Sequence, residues 1–230
     1  VEFMLYGTPV KTRDFQFDIT ANLAHNSSTV KELADGVNRV YFAGDSNMPV
    51  KVGAVKGGKL GDIFANNLMQ RDAQGRVIIG ADGLPMAATG DGNLEQYLLD
   101  HPIGNIQPDL LMSITPTFTY KGISLTAMFD MKFGGDIVSV SEGMATSVGT
   151  SERTAYRGEY KTVGGVQDWY MVVPGVKPDG SVNTQEVSAQ KYYSTIGLYS
   201  SQKGYAEEFV HDASYIKLKE LSLGYSFPQK

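Results

Sequence analysis

The segment 53–60, GAVKGGKL, comes close to the loop motif that holds nucleotide phosphates. Gly53 is followed, after four residues, by Gly58 and Lys59. The motif next requires Ser or Thr, whose hydroxyl binds magnesium, and Leu60 stands there instead. No strand–loop–helix pattern surrounds the segment. The sequence therefore favours an ordinary loop over a nucleotide site.

Residues that could bind metals are sparse. The chain has no cysteine and three histidines, His25, His101 and His211. No two of them have the spacing of a zinc site, which needs three or four nitrogen or sulfur ligands. In DGNLE, Asp91, Asn93 and Glu95 alternate as oxygen donors, but the segment lacks the loop length and glycine placement of an EF-hand. No cofactor is predicted, and turn chemistry is preferred to a bound calcium at 91–95.

The segment 134–208 concentrates aromatic residues, including Trp169, the single tryptophan of the chain. Aromatic faces stack on sugars and anchor protein partners. The candidates for contact with a substrate or partner are Trp169, Tyr170, Asp168, Tyr156 and Arg157. The alternative is that these rings form a small local core of the segment.

Composition excludes several classes of function. The net charge is −5 and the basic residues are scattered, whereas nucleic-acid binders carry a basic patch. Without cysteine there is no thiol nucleophile. The 25 acidic residues offer many carboxylate pairs, but none is singled out for glycoside hydrolysis. The sequence predicts no catalytic residue, no enzyme and no nucleic-acid partner.

The positions of apolar residues predict β-strands. Phe15, Phe17, Ile19, Ala21 and Leu23 alternate with polar residues, and the same period of two runs through 114–120 and 123–133. Lys121-Gly122 between the last two strands fits a type I′ turn, with Lys121 at positive φ. The residues 29–36 fit a short capped helix.

Two irregularities are expected in these strands. Near the end of the chain, the apolar phase changes between Leu218 and Leu221, so a β-bulge near Lys219–Glu220 is predicted to restore a single apolar face. Pro116 lies inside a strand and has no N–H to donate to a neighbouring strand, so a bulge is expected there as well.

The connections between strands differ in length. Short turns are predicted at 8–13, 71–75 and 121–122, and long connections at 25–58, 80–108 and 134–208. Short turns at one end of the strands and long loops at the other are typical of outer-membrane barrels. No run approaches the roughly 18 apolar residues of a membrane-spanning helix.

Several blocks of the sequence resemble one family. They are GTPVKTRDFQFDITANLAHN at 7–26, RDAQGRVI at 71–78, residues 103–139, PGVKPDGSVNT at 174–184 and EFVHDASYIKLKELSLGYSFP at 208–228. The most specific are YKG followed by FGGD, and the closing YIKLKELSLGYSFP. Together they are similar to the C-terminal barrel portion of SusC/RagA-type TonB-dependent outer-membrane transporters.

The resemblance implies an all-β fold of antiparallel up-and-down strands from a transmembrane barrel of about 22 strands, with long extracellular loops. Residues 1–230 would be a part of that barrel without the plug domain or last strands, holding about seven or eight strands, and 134–208 an extracellular loop. The apolar faces would contact outer-membrane lipid. The lumen-facing residues would be Asp18, Asn22, Asp130 and Lys132.

The resemblance also implies a function and a location. The parent protein would be a multi-pass barrel in the outer membrane of a Gram-negative bacterium. It would import oligosaccharides or peptides with a SusD-like lipoprotein lid, driven by TonB through an N-terminal part of the parent. The main alternative is a soluble all-β carbohydrate-binding module that uses Trp169. An all-β hydrolase is a third hypothesis, and no motif supports it.

Overall fold

The computed structural model describes residues 1–44, 48–199 and 204–227. Its strands are β1 (Glu2–Lys11), β2 (Phe15–Ala24), β3 (Arg39–Ala43), β4 (Val50–Val55), β5 (Asp62–Ala65), β6 (Gly104–Asn105), β7 (Leu110–Tyr120), β8 (Ile123–Phe133), β9 (Asp136–Val138), β10 (Glu159–Val163), β11 (Val166–Val172), β12 (Glu186–Ser188), β13 (Val210–Asp212) and β14 (Tyr215–Tyr225). The helices are α1 (Leu94–Asp100), α2 (Val140–Ser147) and α3 (Ala189–Ile196), with short 3₁₀ turns at Gly90–Gly92, Glu152–Ala155 and Ala206–Phe209.

The chain divides into two compact units. The first, which we call the sheet unit, contains Val1–Thr29, Ile106–Asp136 and the segment from Asp212 onward. The second, the insert unit, contains Val30–Asn105 and Ile137–His211. The two segments of the insert unit therefore interrupt the sheet unit along the sequence.

The sheet unit is a five-stranded antiparallel sheet in the order β1-β2-β7-β8-β14. This confirms the predicted all-β antiparallel class, but five strands form the sheet where seven or eight were expected, and it is not closed. The connections at 12–14 and 121–122 are short and lie at one end of the strands. Those at 25–109 and 134–214 are long and leave from the opposite end. The predicted turn at 71–75 instead belongs to the insert unit.

One face of this sheet is apolar across all five strands. Cross-strand pairs such as Phe17 with Phe118 and Leu218 with Phe129 place apolar side chains together, since directly opposed residues share a face. The Phe17 and Phe118 rings stack with centroids 4.7 Å apart. This apolar face is uncovered: Phe3 is 59% exposed and Leu223 is 75% exposed. Among the described apolar residues of the sheet unit, Met131 alone is buried.

The strand irregularities are partly those predicted. Lys121 and Gly122 have φ of 46° and 83°, which confirms the tight turn with both central residues at positive φ. The register of β14 against β8 shifts between Leu218 and Glu220, which confirms the bulge. The prediction of a bulge at Pro116 is wrong. Pro116 lies opposite Ile19 without a register shift, and the β7–β8 ladder is interrupted between Ile114 and Thr117.

The insert unit contains the hydrophobic cores. A four-stranded sheet has the order β3-β4-β5-β6 and a three-stranded sheet the order β10-β11-β12, while β9 pairs with β13. One core cluster includes Ile79 and Ile196, and another includes Phe209, all of them almost wholly buried. The described part of the segment 134–208, where strand periodicity fades, thus folds into helices and strands around a core that it shares with Met69, Ile79 and Leu84.

The predicted helix at 29–36 is wrong. The Val30 N–H donates to the Gly58 carbonyl at 2.9 Å, and the Gly57 N–H donates to the Val30 carbonyl at 2.8 Å. The Val30 carbonyl would accept the first backbone hydrogen bond of a helix after Thr29, but it is used here by a distant segment, so tertiary pairing overrides local propensity. Within residues 1–44, 48–199 and 204–227, no helix has the length and apolar character needed to cross a membrane.

Candidate functional site

A cleft of about 340 Å³ lies within the insert unit. Its walls are the middle of β11, the first turns of α3, the end of α2 with the residues after it, and the segment around Thr154. Three predicted candidates line it together: Arg157, Asp168 and Trp169. The structure therefore brings together residues that the sequence grouped only by their proximity along the chain.

Trp169 is positioned by the β10–β11 hairpin. It lies directly opposite Tyr160, and their ring centroids are 5.4 Å apart with planes tilted by 52°. Met171, two residues further along the same face, is buried in the core. The strand thus passes from the core into the cleft, and Trp169 remains 41% exposed, with ring surface available to a ligand.

Asp168 is fixed by two short hydrogen bonds. The Ser188 hydroxyl donates to Oδ2 and the Trp169 N–H donates to Oδ1, both at 2.7 Å. These donors lower the pKa of the Asp168 carboxyl below its usual value, the Ser188 hydroxyl contributing most. The carboxylate is therefore charged at neutral pH, and its remaining lone pairs can accept hydrogen bonds from a ligand.

Arg157 supplies the positive charge of the cleft. Its Nε donates to the Thr154 carbonyl at 3.2 Å, which orients the guanidinium. Among the described residues, neither Arg157 nor Asp168 takes part in an ion pair; Lys161, opposite Asp168 on β10, pairs with Glu159 and Glu186 instead. The cleft therefore combines one positive and one negative side chain beside an aromatic ring, and neither forms an ion pair within the described part of the chain.

Two other candidates lie outside the cleft lining. The Tyr156 side chain is exposed, and its carbonyl accepts a hydrogen bond from the Tyr193 hydroxyl at 2.5 Å. The Tyr170 hydroxyl donates to the Val166 carbonyl at 3.3 Å. Tyr170 lies opposite Ser188 of β12, and its side chain is on the other face of β11 from that of Trp169. The structure therefore groups three of the five predicted candidates in one cleft.

Sequence reasoning missed the contribution of α3. Gln190, Tyr193 and Ser194 from this helix line the cleft. The available signal was Ser188, which caps the helix by accepting the Lys191 N–H at 3.5 Å. Tyr193 also belongs to the core cluster and Tyr192 packs against it, but that cluster includes Met69 and Ile79, so it is not the local core of the segment that the alternative predicted. Burial raises the pKa of Tyr192 to about 12.

The four predicted lumen residues lie on one face of the sheet unit, opposite the apolar face. Asp18 accepts a hydrogen bond from the Thr8 hydroxyl at 2.7 Å, and the Asn22 amide donates to Ser113 at 3.1 Å. Asp130 accepts from the Tyr215 hydroxyl at 3.2 Å, and Tyr215 is paired with Lys132 across β8 and β14. Polar side chains are thus linked across neighbouring strands on this face.

Four of the residues considered for metal binding have partners within the protein. Asn93 caps α1 by accepting the Gln96 N–H at 3.2 Å, and Glu95 forms an ion pair with Arg39. His211 Nε2 lies 2.7 Å from a Glu142 oxygen, whereas His101 stacks on Tyr97. Within the described part of the chain, no three histidine or acidic side chains are grouped as metal ligands.

Known proteins similar to this chain are found among curated sequences and solved structures. No family model matches the chain. The TonB-dependent receptor SusC of Bacteroides thetaiotaomicron is 25% identical over 99% of this chain, which corresponds to 20% of SusC. The chain therefore spans about a fifth of that curated relative. The resemblance to the SusC/RagA type stated from sequence motifs is confirmed by this match.

Solved structures show the same fold. The structure of the RagAB peptide transporter matches with a TM-score of 0.53 and 16% identity, covering 99% of this chain and 22% of that one. The RagAB peptide importer in its 'closed-closed' state matches with a TM-score of 0.51 and 15% identity, covering 98% of this chain and 22% of that one. At these identities the likeness concerns the fold.

Proposed function

We propose that this chain forms part of the barrel wall of a TonB-dependent outer-membrane importer of the SusC/RagA type. The sheet unit contributes β1, β2, β7, β8 and β14 to a larger barrel of antiparallel strands. Its apolar face contacts lipid, and the face carrying Asp18, Asn22, Asp130 and Lys132 lines the lumen. The long connections that leave the other end of these strands are extracellular, including 134–208.

The observation that carries this proposal is the uncovered apolar face of the sheet unit. In a soluble sandwich that face would be buried against a second layer, and large exposed apolar areas are rare on soluble monomers. Here both core clusters belong to the insert unit, while β1, β7, β8 and β14 of the sheet have exposed apolar residues and those of β2 are half-buried. An apolar band on one face and polar residues on the other suit a barrel wall between lipid and a polar lumen.

The proposed transport function draws on the relatives. SusC is named as a TonB-dependent receptor, and RagAB as a peptide transporter and importer. We infer that the parent of this chain imports oligosaccharides or peptides with a SusD-like lipoprotein and with TonB as the energy-coupling partner. In this chain no residue is assigned an acid, base or nucleophile role.

The absence of cysteine from this chain makes its membrane topology testable. Two single-cysteine variants are made in the full-length polypeptide, with cysteines elsewhere in that polypeptide replaced. Val166→Cys lies at the exposed tip of the β10–β11 hairpin, and Arg13→Cys lies in the short turn between β1 and β2. A membrane-impermeant maleimide is expected to label Val166→Cys in intact cells. Arg13→Cys should react only after the outer membrane is permeabilised.

Each variant is the control for the other, because both positions are exposed in the folded chain. Labelling of Arg13→Cys but not Val166→Cys in intact cells would reverse the proposed topology. Equal labelling of both without permeabilisation would contradict a membrane barrier between the two ends of the sheet.

A further inference from the structure

We propose that the short-turn end of the sheet unit binds the phosphate headgroup of an anionic phospholipid. We define this end by the turn at 12–14, between β1 and β2, and the turn at 121–122, between β7 and β8; these turns carry Arg13 and Lys121. The inference rests on the proposed function, because the short turns then lie at the periplasmic surface of the outer membrane. The leaflet that faces the periplasm consists of phospholipids, so a ligand of this class is within reach.

The two turns are joined through the backbone. The Lys121 N–H donates to the Asp14 carbonyl at 3.0 Å, and the Thr12 N–H donates to the Phe15 carbonyl at 2.8 Å. These hydrogen bonds fix the turns side by side, which limits the ordering cost of binding. The Arg13 and Lys121 side chains are exposed, and neither forms an ion pair within residues 1–44, 48–199 and 204–227. Both cations are therefore available to a ligand.

Lys121 has a backbone conformation that its residue type disfavours. Its φ of 46° is in the left-handed region, and in the described part of the chain Asp91 is the other non-glycine residue with positive φ. A hairpin turn with positive φ at both central residues usually begins with asparagine, aspartate or glycine. Backbone strain of this kind is concentrated at functional positions. The turn thus holds an ammonium group at a conformational cost, which indicates a use for that charge.

A row of mainly aromatic residues lies on the apolar face beside these turns. The row follows successive cross-strand partners on β2, β7, β8 and β14, namely Phe15, Tyr120, Ile123 and Tyr225. Tyr120 is 52% exposed, and the Lys121 Nζ lies 5.4 Å from the centre of its ring. At a membrane interface, tyrosine keeps its ring among the acyl chains and its hydroxyl near the headgroups. The row therefore places the headgroup level of the lipid next to the two cations.

The charge of the sheet unit differs between its two ends. Among the described residues of the short-turn end, the basic side chains of Lys11, Arg13 and Lys121 outnumber the acidic one of Asp14. At the opposite end of the strands the charged residues are mainly acidic: Glu2, Asp109, Asp136 and Asp212, with Lys132. A guanidinium can bind two phosphate oxygens at once, and an ammonium adds a compact charge. An anionic headgroup therefore matches the short-turn end, and a zwitterionic headgroup, whose own cation offsets the phosphate, matches it less well.

The test uses the full-length polypeptide purified from outer membranes in detergent and freed of lipid. Native mass spectrometry measures its dissociation constants for phosphatidylglycerol and phosphatidylcholine with identical acyl chains. Phosphatidylglycerol is expected to bind more tightly. Arg13→Gln and Lys121→Asn should each weaken its binding about fivefold, because one basic residue near an anionic lipid surface contributes roughly that factor. Binding of phosphatidylcholine should change little.

The choice of variants separates loss of contact from loss of fold. Asparagine suits the first central position of this turn better than lysine does, so Lys121→Asn removes the charge without weakening the hairpin. Lys56→Asn is the matched control, because Lys56 is exposed in the insert unit, and it should leave both affinities unchanged. Equal affinity for the two lipids, or unchanged affinity in Arg13→Gln and Lys121→Asn, would overturn the inference. Displacement of phosphatidylglycerol by inorganic phosphate would also overturn it, since the site would then bind a free anion.

The outcomes also distinguish this inference from the proposed function. The expected maleimide labelling together with equal affinity for the two lipids would leave the transporter in place and remove the headgroup site. A preference for phosphatidylglycerol that depends on Arg13 and Lys121, in a polypeptide with the reverse labelling, would support the headgroup site and overturn the proposed orientation of the barrel wall.

Discussion

Phe129→Arg in the full-length polypeptide is expected to cut sharply the amount of folded barrel recovered from the outer membrane. Phe129 lies near the middle of β8, on the apolar face, between Ile114 of β7 and Leu218 of β14. If that face contacts lipid, the substitution places a guanidinium near the centre of the bilayer. The cost there is about 2–4 kcal/mol for Arg or Lys, enough to reduce the folded fraction by one or more factors of ten in a marginal barrel.

The neighbouring residue provides a matched control for Phe129→Arg. Met128 lies on the opposite face of the same strand, directly across from Glu220. Met128→Arg introduces the same charge one residue away, on the face proposed to line the lumen and beside a carboxylate. We expect a near-normal yield of heat-modifiable, protease-resistant barrel. Greater damage from Met128→Arg than from Phe129→Arg would mean that the two faces have been assigned the wrong way round.

Phe209→Ala is expected to unfold the insert unit while leaving the sheet strands assembled. Phe209 is 0% exposed and belongs to the core cluster with Leu198 and Leu68. The Arg153 guanidinium lies 4.8 Å from the centre of its ring and also pairs with Glu208. Removing a buried phenylalanine ring costs about 3–5 kcal/mol, through lost transfer free energy and the cavity that remains.

Limited proteolysis of intact cells measures this effect. The insert unit of Phe209→Ala should be cleaved at protease concentrations that leave the wild type uncut. Phe42→Ala is the matched control, since Phe42 is 52% exposed and its removal opens no cavity. Wild-type resistance of Phe209→Ala would contradict the assignment of a stable core to 134–208 and its partners.

The sheet unit was largely predictable from the sequence because its signals are local. Alternation from Phe15 to Leu23 defines the two faces of β2 without knowledge of its neighbours. The Lys121-Gly122 turn and the bulge at Lys219 follow from turn chemistry and from a change of apolar phase. Pro116 was predicted wrongly: at this residue the pairing of β7 with β8 is interrupted, and its register does not shift.

The insert unit was poorly predictable because distant contacts determine it. The Thr29–Gly36 segment has a helix-like pattern, but the backbone of Val30 forms hydrogen bonds with Gly57 and Gly58. In the segment 134–208, short strands and helices pack around a core shared with residues 69–84. Local periodicity therefore indicates little about where these elements lie. The cleft itself was half predicted: Trp169 and Arg157 were singled out by residue type, while the α3 wall depends on tertiary packing.

The most direct test of the account is the location and mass of the native polypeptide that carries YIKLKELSLGYSFP. An antibody to this segment is used on fractionated source cells after denaturing electrophoresis. A band several times larger than 25.0 kDa, confined to the outer-membrane fraction, is the predicted result. A band near 25 kDa in a soluble fraction would contradict the barrel assignment and favour a soluble all-β binding module.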